Sequence, residues 1–292
     1  MIYKLENDKL SIRVASFGAQ LQSLYNKTLE REYNWQAAEE IACPYSMTLF
    51  PVCGRTADNR VIVRGKEYPL GMHAFAKDQE FTCVEYSATK LVLELCDNEV
   101  TRRMYPYAFR FVITFTLEGD TVHEGLQVVN EGEDDMYFSL GLHPCFFFPL
   151  DLGDTPDDYE LRFDRKQNIY KFVTVPATRL YTHETEPWLT DSDTFKYSST
   201  YFNDGPKMLG GVDCDSVTYI SRKSGRFVKM GMKGFPFMCL WGAPERPSVA
   251  VIEPWCGTTD YSDTDHVWET RFGNEKLEAG KTFEREVTYQ LG

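Results

Sequence analysis

Alternation with a period of two dominates the chain. Phe109, Phe111, Ile113, Phe115 and Leu117 alternate with Arg110, Val112, Thr114 and Thr116, and Glu118-Gly119-Asp120 then supplies a turn. Thr121 to Val129 returns with Val122, Leu126 and Val128 on one face, which predicts a β-hairpin. Ser216 to Ile220 and Phe227 to Met232 flank Arg222-Lys223-Ser224-Gly225 and predict a second one. Further strands are expected at Leu10 to Val14, Leu91 to Leu95, Met136 to Leu140, Val249 to Ile252 and Phe283 to Tyr289. Helical periodicity is sparse; Trp35 to Ala42, ahead of Pro44, is the one short helix the pattern suggests. Asp151 to Asp158 and Thr182 to Asp193 read as polar loops. Many short strands between polar turns predict an all-β fold, a sandwich or a barrel. No linker-like run and no internal repeat divides the chain, so residues 1–292 are expected to form a single domain.

Composition agrees with that pattern. A large sandwich can use 292 residues as one unit, and a hydrophobic share of 42% is adequate for its core. The aromatic share of 14% suits strands better than helices. A formal net charge of −13 argues against a nucleic-acid partner, because phosphate binding needs a basic surface. The opening MIYKLENDKL has no apolar leader core, and no later stretch approaches the roughly 20 apolar residues of a membrane span. The eight cysteines are scattered and form no CxxC pair, unlike a zinc site or a disulfide framework. They are expected to be reduced thiols filling core positions in a cytoplasmic protein.

Three segments carry candidate chemistry: Gly71-Met72-His73-Ala74-Phe75-Ala76-Lys77, Gly141-Leu142-His143-Pro144, and Val251-Ile252-Glu253-Pro254-Trp255-Cys256-Gly257. Glu253 ends an apolar run beside Pro254 and Trp255, where partial desolvation suits a carboxylate to general-base work. A strand-end glutamate paired with a surface arginine fits that pattern equally well. His143 follows a strand and precedes a proline, and its imidazole titrates near neutrality. His73 lies in a glycine-containing loop, whereas His123, His183 and His266 have no supporting context.

Taken in order, these segments resemble the aldose 1-epimerase (galactose mutarotase-like) superfamily, most closely its LacX-like branch. The resemblance begins at Ser16-Phe17-Gly18-Ala19-Gln20-Leu21 and takes in Leu49-Phe50-Pro51-Val52-Cys53-Gly54-Arg55. It continues through the His73 and His143 segments and Gly234-Phe235-Pro236-Phe237, and closes with Ile252-Glu253-Pro254-Trp255. It implies a supersandwich of mainly antiparallel sheets with a sugar cleft on one curved face. Glu253 matches the family's catalytic base and His143 its catalytic acid. His73 and Arg55 match residues that contact the sugar, and Asp215 aligns with a substrate-binding aspartate. Two positions depart from the usual HGFAR loop: Ala74 stands for glycine and Lys77 for arginine. The first narrows backbone freedom and the second removes a fork-shaped donor, so both bear on sugar preference.

The resemblance implies interconversion of the α and β anomers of a free aldose by acid–base ring opening, with no cofactor and no metal. Trp241 and Trp255 are candidate apolar platforms for the sugar. A hexose 6-phosphate is an alternative substrate, with Arg55, Arg60, Arg64 and Lys77 as the cations for its phosphate. A non-catalytic carbohydrate-binding protein on the same scaffold is another alternative. A glycosidase would need two carboxylates flanking a bond, whereas this constellation pairs a carboxylate with histidines. Whether the protein is a monomer or a homodimer is open from sequence.

Overall fold

Period-two burial, visible in the sequence, is carried into long antiparallel ladders. In the computed structural model, which describes residues 1–37, 45–242 and 249–292, Phe109–Glu118 pairs with Thr121–Asn130 in full register. Phe109, Phe111, Ile113, Phe115 and Leu117 are buried, while the intervening residues are partly exposed. Ser216–Ser221 and Phe227–Gly231 form the second expected hairpin. The other expected strands appear at Leu10–Ala15, Lys90–Cys96, Met136–Phe138, Leu140–His143, Val249–Cys256 and Thr282–Leu291.

Most of these strands join one large sheet. From one edge it runs Met47–Leu49, Leu140–His143, Val249–Cys256, Phe237–Gly242, Lys207–Gly210, Tyr159–Thr174 and Ser216–Ser221. It continues through Phe227–Gly231, Thr282–Leu291, Thr121–Asn130, Phe109–Glu118 and Lys90–Cys96 to Thr82–Tyr86. A separate antiparallel sheet of Ile2–Glu6, Leu10–Ala15, Leu21–Asn26 and Arg31–Glu32 packs onto the same apolar core. That core takes residues from Leu5 to Leu291. The fold is therefore the all-β, mainly antiparallel arrangement expected. No helix among the described residues is long and apolar enough to cross a membrane.

Three expectations need correction. Thr182 to Asp193 is no loop: it lies within the strand Tyr181–Lys196, which pairs with Tyr159–Thr174. Both faces of that strand are largely exposed, so it carries no apolar alternation to betray it. The strand that reaches Glu253 also does not stop there but continues to Cys256. Trp35–Ala37 is non-helical, with the Trp35 amide donating to Cys145 O at 2.8 Å. The rest of the helix expected over Trp35 to Ala42 lies outside the described residues.

One close approach fixes how the site strands meet. Gly141 pairs with Trp255, and a Cβ at Gly141 would lie 2.6 Å from Trp255 Cδ1, 2.8 Å from Cys53 Sγ and 2.9 Å from Pro254 O. Only a residue without a side chain fits there. Gly141→Ala is expected to lower stability by about 1–3 kcal/mol, the usual cost of overpacking a dense site, read as a lower urea midpoint at unchanged slope.

Candidate active site

Alternation divides the labour of the strands between two faces. Along Val249–Cys256, Ala250, Ile252 and Cys256 enter the main core, while Val249, Val251 and Trp255 join smaller apolar clusters on the opposite face. Along Phe237–Gly242, Met238 and Leu240 face the core, and Cys239 faces the other way. Leu140 and Leu142 likewise point inward, leaving His143 on the same outer face. That face floors a cavity of about 460 Å³ lined by His143, Glu253, Trp241, Trp255, Cys239 and Met208, among others. The volume suits a small ligand of monosaccharide size.

At the floor, His143 Nε2 lies 3.6 Å from Glu253 Oε1. Both side chains are nearly removed from solvent, at 12% and 3% exposure, so charge on either is costly unless the other or a ligand answers it. Register explains the approach: Gly141, two residues before His143, pairs with Trp255, two residues after Glu253. Cys239 pairs directly with Glu253, and its thiol hydrogen-bonds the carboxylate. Behind His143, Nδ1 lies 3.3 Å from Cys145 Sγ, and that thiol is also 3.2 Å from the His143 carbonyl oxygen. When the thiol donates to Nδ1, the neutral ring carries its proton on Nε2, facing Glu253 and the cavity.

His73 stands beside this pair, its ring 6.0 Å from that of His143 and 5.9 Å from Trp255. The His73 amide donates to Gly54 O at 2.9 Å, which docks its loop onto the Arg55 loop. His73 and Ala74 both adopt left-handed backbone, with φ of 60° and 46°. Ala74 thus occupies a conformation that favours glycine, the residue usual at that point of the family motif. Burial, then the neighbouring His143, Lys77 and Arg55, pushes the His73 pKa down to about 3. Burial likewise pushes His143 down to about 4. Both rings are uncharged at neutral pH. His73 Nδ1 and Trp255 Nε1 are buried without a hydrogen-bond partner among the described residues.

Loops raise cations around the rim. Lys77, half-buried, lines the cavity and pairs with Asp78. Arg55 also lines it, on a loop that no sequence pattern tied to the carboxyl-terminal third. There the Arg55 amide donates to Thr259 Oγ1 at 3.2 Å, and its carbonyl accepts from the Asp260 amide at 2.9 Å. A Cβ at Gly54 would lie 2.2 Å from Thr259 Oγ1, so this contact needs the glycine at φ 71°. Asp260 and Arg271 form a buried ion pair beneath these loops, and Asp260 Oδ2 accepts the Ala57 amide at 2.8 Å.

Sequence reasoning missed Arg179, Met208 and the cavity role of Cys239. Arg179 sits in a turn between two long strands, with no motif around it. Cys239 shows only the apolar character of a core thiol. Asp215 must be corrected: it does not line this cavity, but pairs with Arg165 at 2.8 Å and approaches Lys233 at 3.7 Å. It precedes Ser216–Ser221, which three intervening strands separate from Val249–Cys256. Arg60 and Arg64 also point elsewhere, to Glu67 at 2.6 Å and Asp134 at 3.1 Å. Among the described residues no group of three His, Cys, Asp or Glu side chains is arranged to hold a metal ion.

Comparison with known proteins decides the family. The family model described as aldose 1-epimerase matches residues 1–290. The chain belongs to the aldose 1-epimerase family. Within reach of this aldose 1-epimerase homologue is the plasmid-encoded protein LacX of Lactococcus lactis, 28% identical over 278 residues and 93% of each chain. Among solved structures, a galactose mutarotase related enzyme from Lactobacillus acidophilus is similar with a TM-score of 0.94. It is 27% identical, and the match covers 100% of this chain and 97% of that one. A galactose mutarotase-like protein from Lactobacillus casei shares the fold with a TM-score of 0.92, 24% identity and full coverage of both chains. Membership implies a general epimerase or mutarotase function acting on a sugar.

Two measurements check the electrostatics. Arg271→Leu leaves Asp260 buried without its cation and is expected to cost about 3–5 kcal/mol, seen as an early urea transition. The depressed histidines also make stability pH-dependent. Below their ordinary pKa of 6.5 the unfolded chain takes up protons that the folded His73 and His143 refuse until pH nears 4. Stability therefore falls as pH drops through that window, by about 1.4 kcal/mol per unit for each ring. Glu124, pushed up to about 7 by burial against a hydrogen bond from Tyr289, has the opposite sign over pH 7 to 4.5. The net expected slope is about 1.4 kcal/mol per unit between pH 6.5 and 5, and His73→Asn should flatten it in urea titrations across that range.

Proposed function

We propose that this aldose 1-epimerase homologue interconverts the α and β anomers of an aldopyranose by acid–base opening of its hemiacetal ring. One observation carries the reading: the His143 imidazole and the Glu253 carboxylate lie 3.6 Å apart on the floor of one cavity. In a hemiacetal the ring oxygen and the C1 hydroxyl share one carbon. A donor and an acceptor set side by side can therefore address both at once.

In this reading His143 acts in its protonated form, the minor species at neutral pH: the imidazolium delivers a proton from Nε2 to the ring oxygen while the Glu253 carboxylate accepts the proton of the C1 hydroxyl. The bond between C1 and the ring oxygen breaks, and C1 becomes the carbonyl carbon of an open-chain aldehyde. Rotation about C1–C2 presents the other carbonyl face. The ring oxygen then attacks C1, returning its proton to His143 as Glu253 gives one back to the new hydroxyl. Atoms and charge balance over the cycle. Burial that depresses His143 makes its protonated form a strong acid, fit to give up a proton quickly. His73 lies next to His143, and the Trp241 and Trp255 rings offer apolar faces for the sugar's C–H bonds.

Saturation-transfer NMR of anomer exchange tests the assignment. Glu253→Gln and His143→Asn are each expected to lower enzyme-dependent exchange by about 10²–10⁴-fold, the usual contribution of one positioned proton-transfer group, with an unchanged circular dichroism spectrum. Wild-type rates in either variant would remove that residue from the mechanism. Sugar binding with no exchange above buffer would make the protein a carbohydrate-binding one instead.

A further inference from the structure

Behind the proposed acid lies a buried thiol that the ring-opening steps leave unused. Alternation puts His143 and Cys145 on the same face of the chain, two residues apart across Pro144. The register against Val249–Cys256 is kept across that interruption. Gly141 opposes Trp255 and Cys145 opposes Val251, so His143 falls midway on one side and Glu253 midway on the other. Nε2 of the imidazole faces the carboxylate at 3.6 Å. Nδ1 faces Cys145 Sγ at 3.3 Å, and the same thiol lies 3.2 Å from the His143 carbonyl oxygen.

The Cys145 backbone is held without help from its side chain. Its amide donates to Ser46 Oγ at 3.0 Å, and Ser46 donates onward to Asn34 Oδ1 at 2.8 Å. Its carbonyl accepts the Trp35 amide at 2.8 Å. Around the thiol lie Trp35, Val249 and Val251, an apolar setting that is poor in water. Cys145 stands behind the ring and not in the cavity lining.

An imidazole that gives up a proton and takes it back needs two kinds of partner at Nδ1. As an imidazolium it has a proton on Nδ1 to donate. After Nε2 has released its proton, the Nδ1 proton must stay in place, so that the Nε2 lone pair is open when the ring closes. In the resting neutral ring, with Nε2–H turned to Glu253, Nδ1 is instead an acceptor. A carbonyl or a carboxylate serves the first two states and not the third. A thiol both donates and accepts, so it serves all three. When Sγ accepts from Nδ1–H, its own proton turns to the His143 carbonyl; when Nδ1 is bare, the S–H turns to it.

We propose that Cys145 is a positioning residue for the proton transfer, its thiol accepting from His143 Nδ1–H during turnover and donating to Nδ1 in the resting ring. The inference rests on the epimerase reading of His143. No bond to sulfur forms or breaks, and the thiol proton moves by rotation about Cβ–Sγ alone.

The test joins the anomer-exchange assay to nitrogen NMR of isotope-labelled histidines, with the His143 signals assigned by their loss in His143→Asn. The resting wild type is expected to show His143 as one neutral tautomer, protonated on Nε2. Cys145→Ala is expected to lower kcat about three- to tenfold, the worth of one neutral hydrogen bond, with KM unchanged. It should also shift the His143 nitrogens toward a mixture of both neutral tautomers. Cys145→Ser keeps a donor and an acceptor at that point and is expected to restore most of the rate and the Nε2–H tautomer. A side chain that merely fills space would give the reverse order, because alanine suits an apolar cluster better than serine does. Each variant is read below its own melting temperature, so that the folded protein is what reports. Wild-type kcat in Cys145→Ala, a lowered kcat with unchanged nitrogen shifts, or serine performing worse than alanine would overturn the inference and leave the epimerase standing. Absence of exchange in the wild type with every aldose would overturn the epimerase reading and this inference with it.

Discussion

Antiparallel pairing between Leu140–His143 and Val249–Cys256 is the constraint on which the site depends. Because side chains alternate across a sheet, this register decides which residues meet and which face they share. A slip of one residue would send Glu253 into the core and Ile252 into the cavity. The flanking ladder with Phe237–Gly242 adds a second condition, setting Cys239 directly opposite Glu253. Gly141 lets the strands meet despite the bulk of Trp255. The geometry of the pair proposed for proton transfer is thus a by-product of packing that the inner face of the same strands enforces.

Burial then turns ordinary side chains into specialised ones. His73 and His143 are neutral because the surroundings withhold the water that an imidazolium needs. The same withdrawal of water makes every charge at the rim count for more toward a ligand. An acidic surface around a cationic mouth also produces a local field unlike that of the molecule at large.

Most of the fold was legible because apolar alternation is strong where one face is buried. The hairpin from Phe109 to Asn130 shows this best, with every inward residue apolar except Glu124 and Asn130. Tyr181–Lys196 defeated the same logic, since a strand exposed on both faces has no reason to alternate. His143, Glu253, His73, Arg55, Lys77 and Trp255 were found through short motifs and do line one cavity. Asp215 had a motif only loosely aligned, and sheet order carries it away. Arg179 had none, since it reaches the cavity through a turn held by Val175 O and by the Asp260 contact.

The two groups proposed for proton transfer were singled out by resemblance to a family's motifs, whereas local information in the chain was enough to determine an all-β architecture and the principal strands. Those properties follow from side-chain type and near-neighbour pattern, which the backbone's period of two reads directly. Tertiary structure alone decided that residues 55, 77, 143, 179 and 253 share one hollow. It also decided that the hollow is cationic and its histidines uncharged. Proximity and desolvation belong to contacts between distant segments, and a charge takes its meaning from what surrounds it after those segments meet.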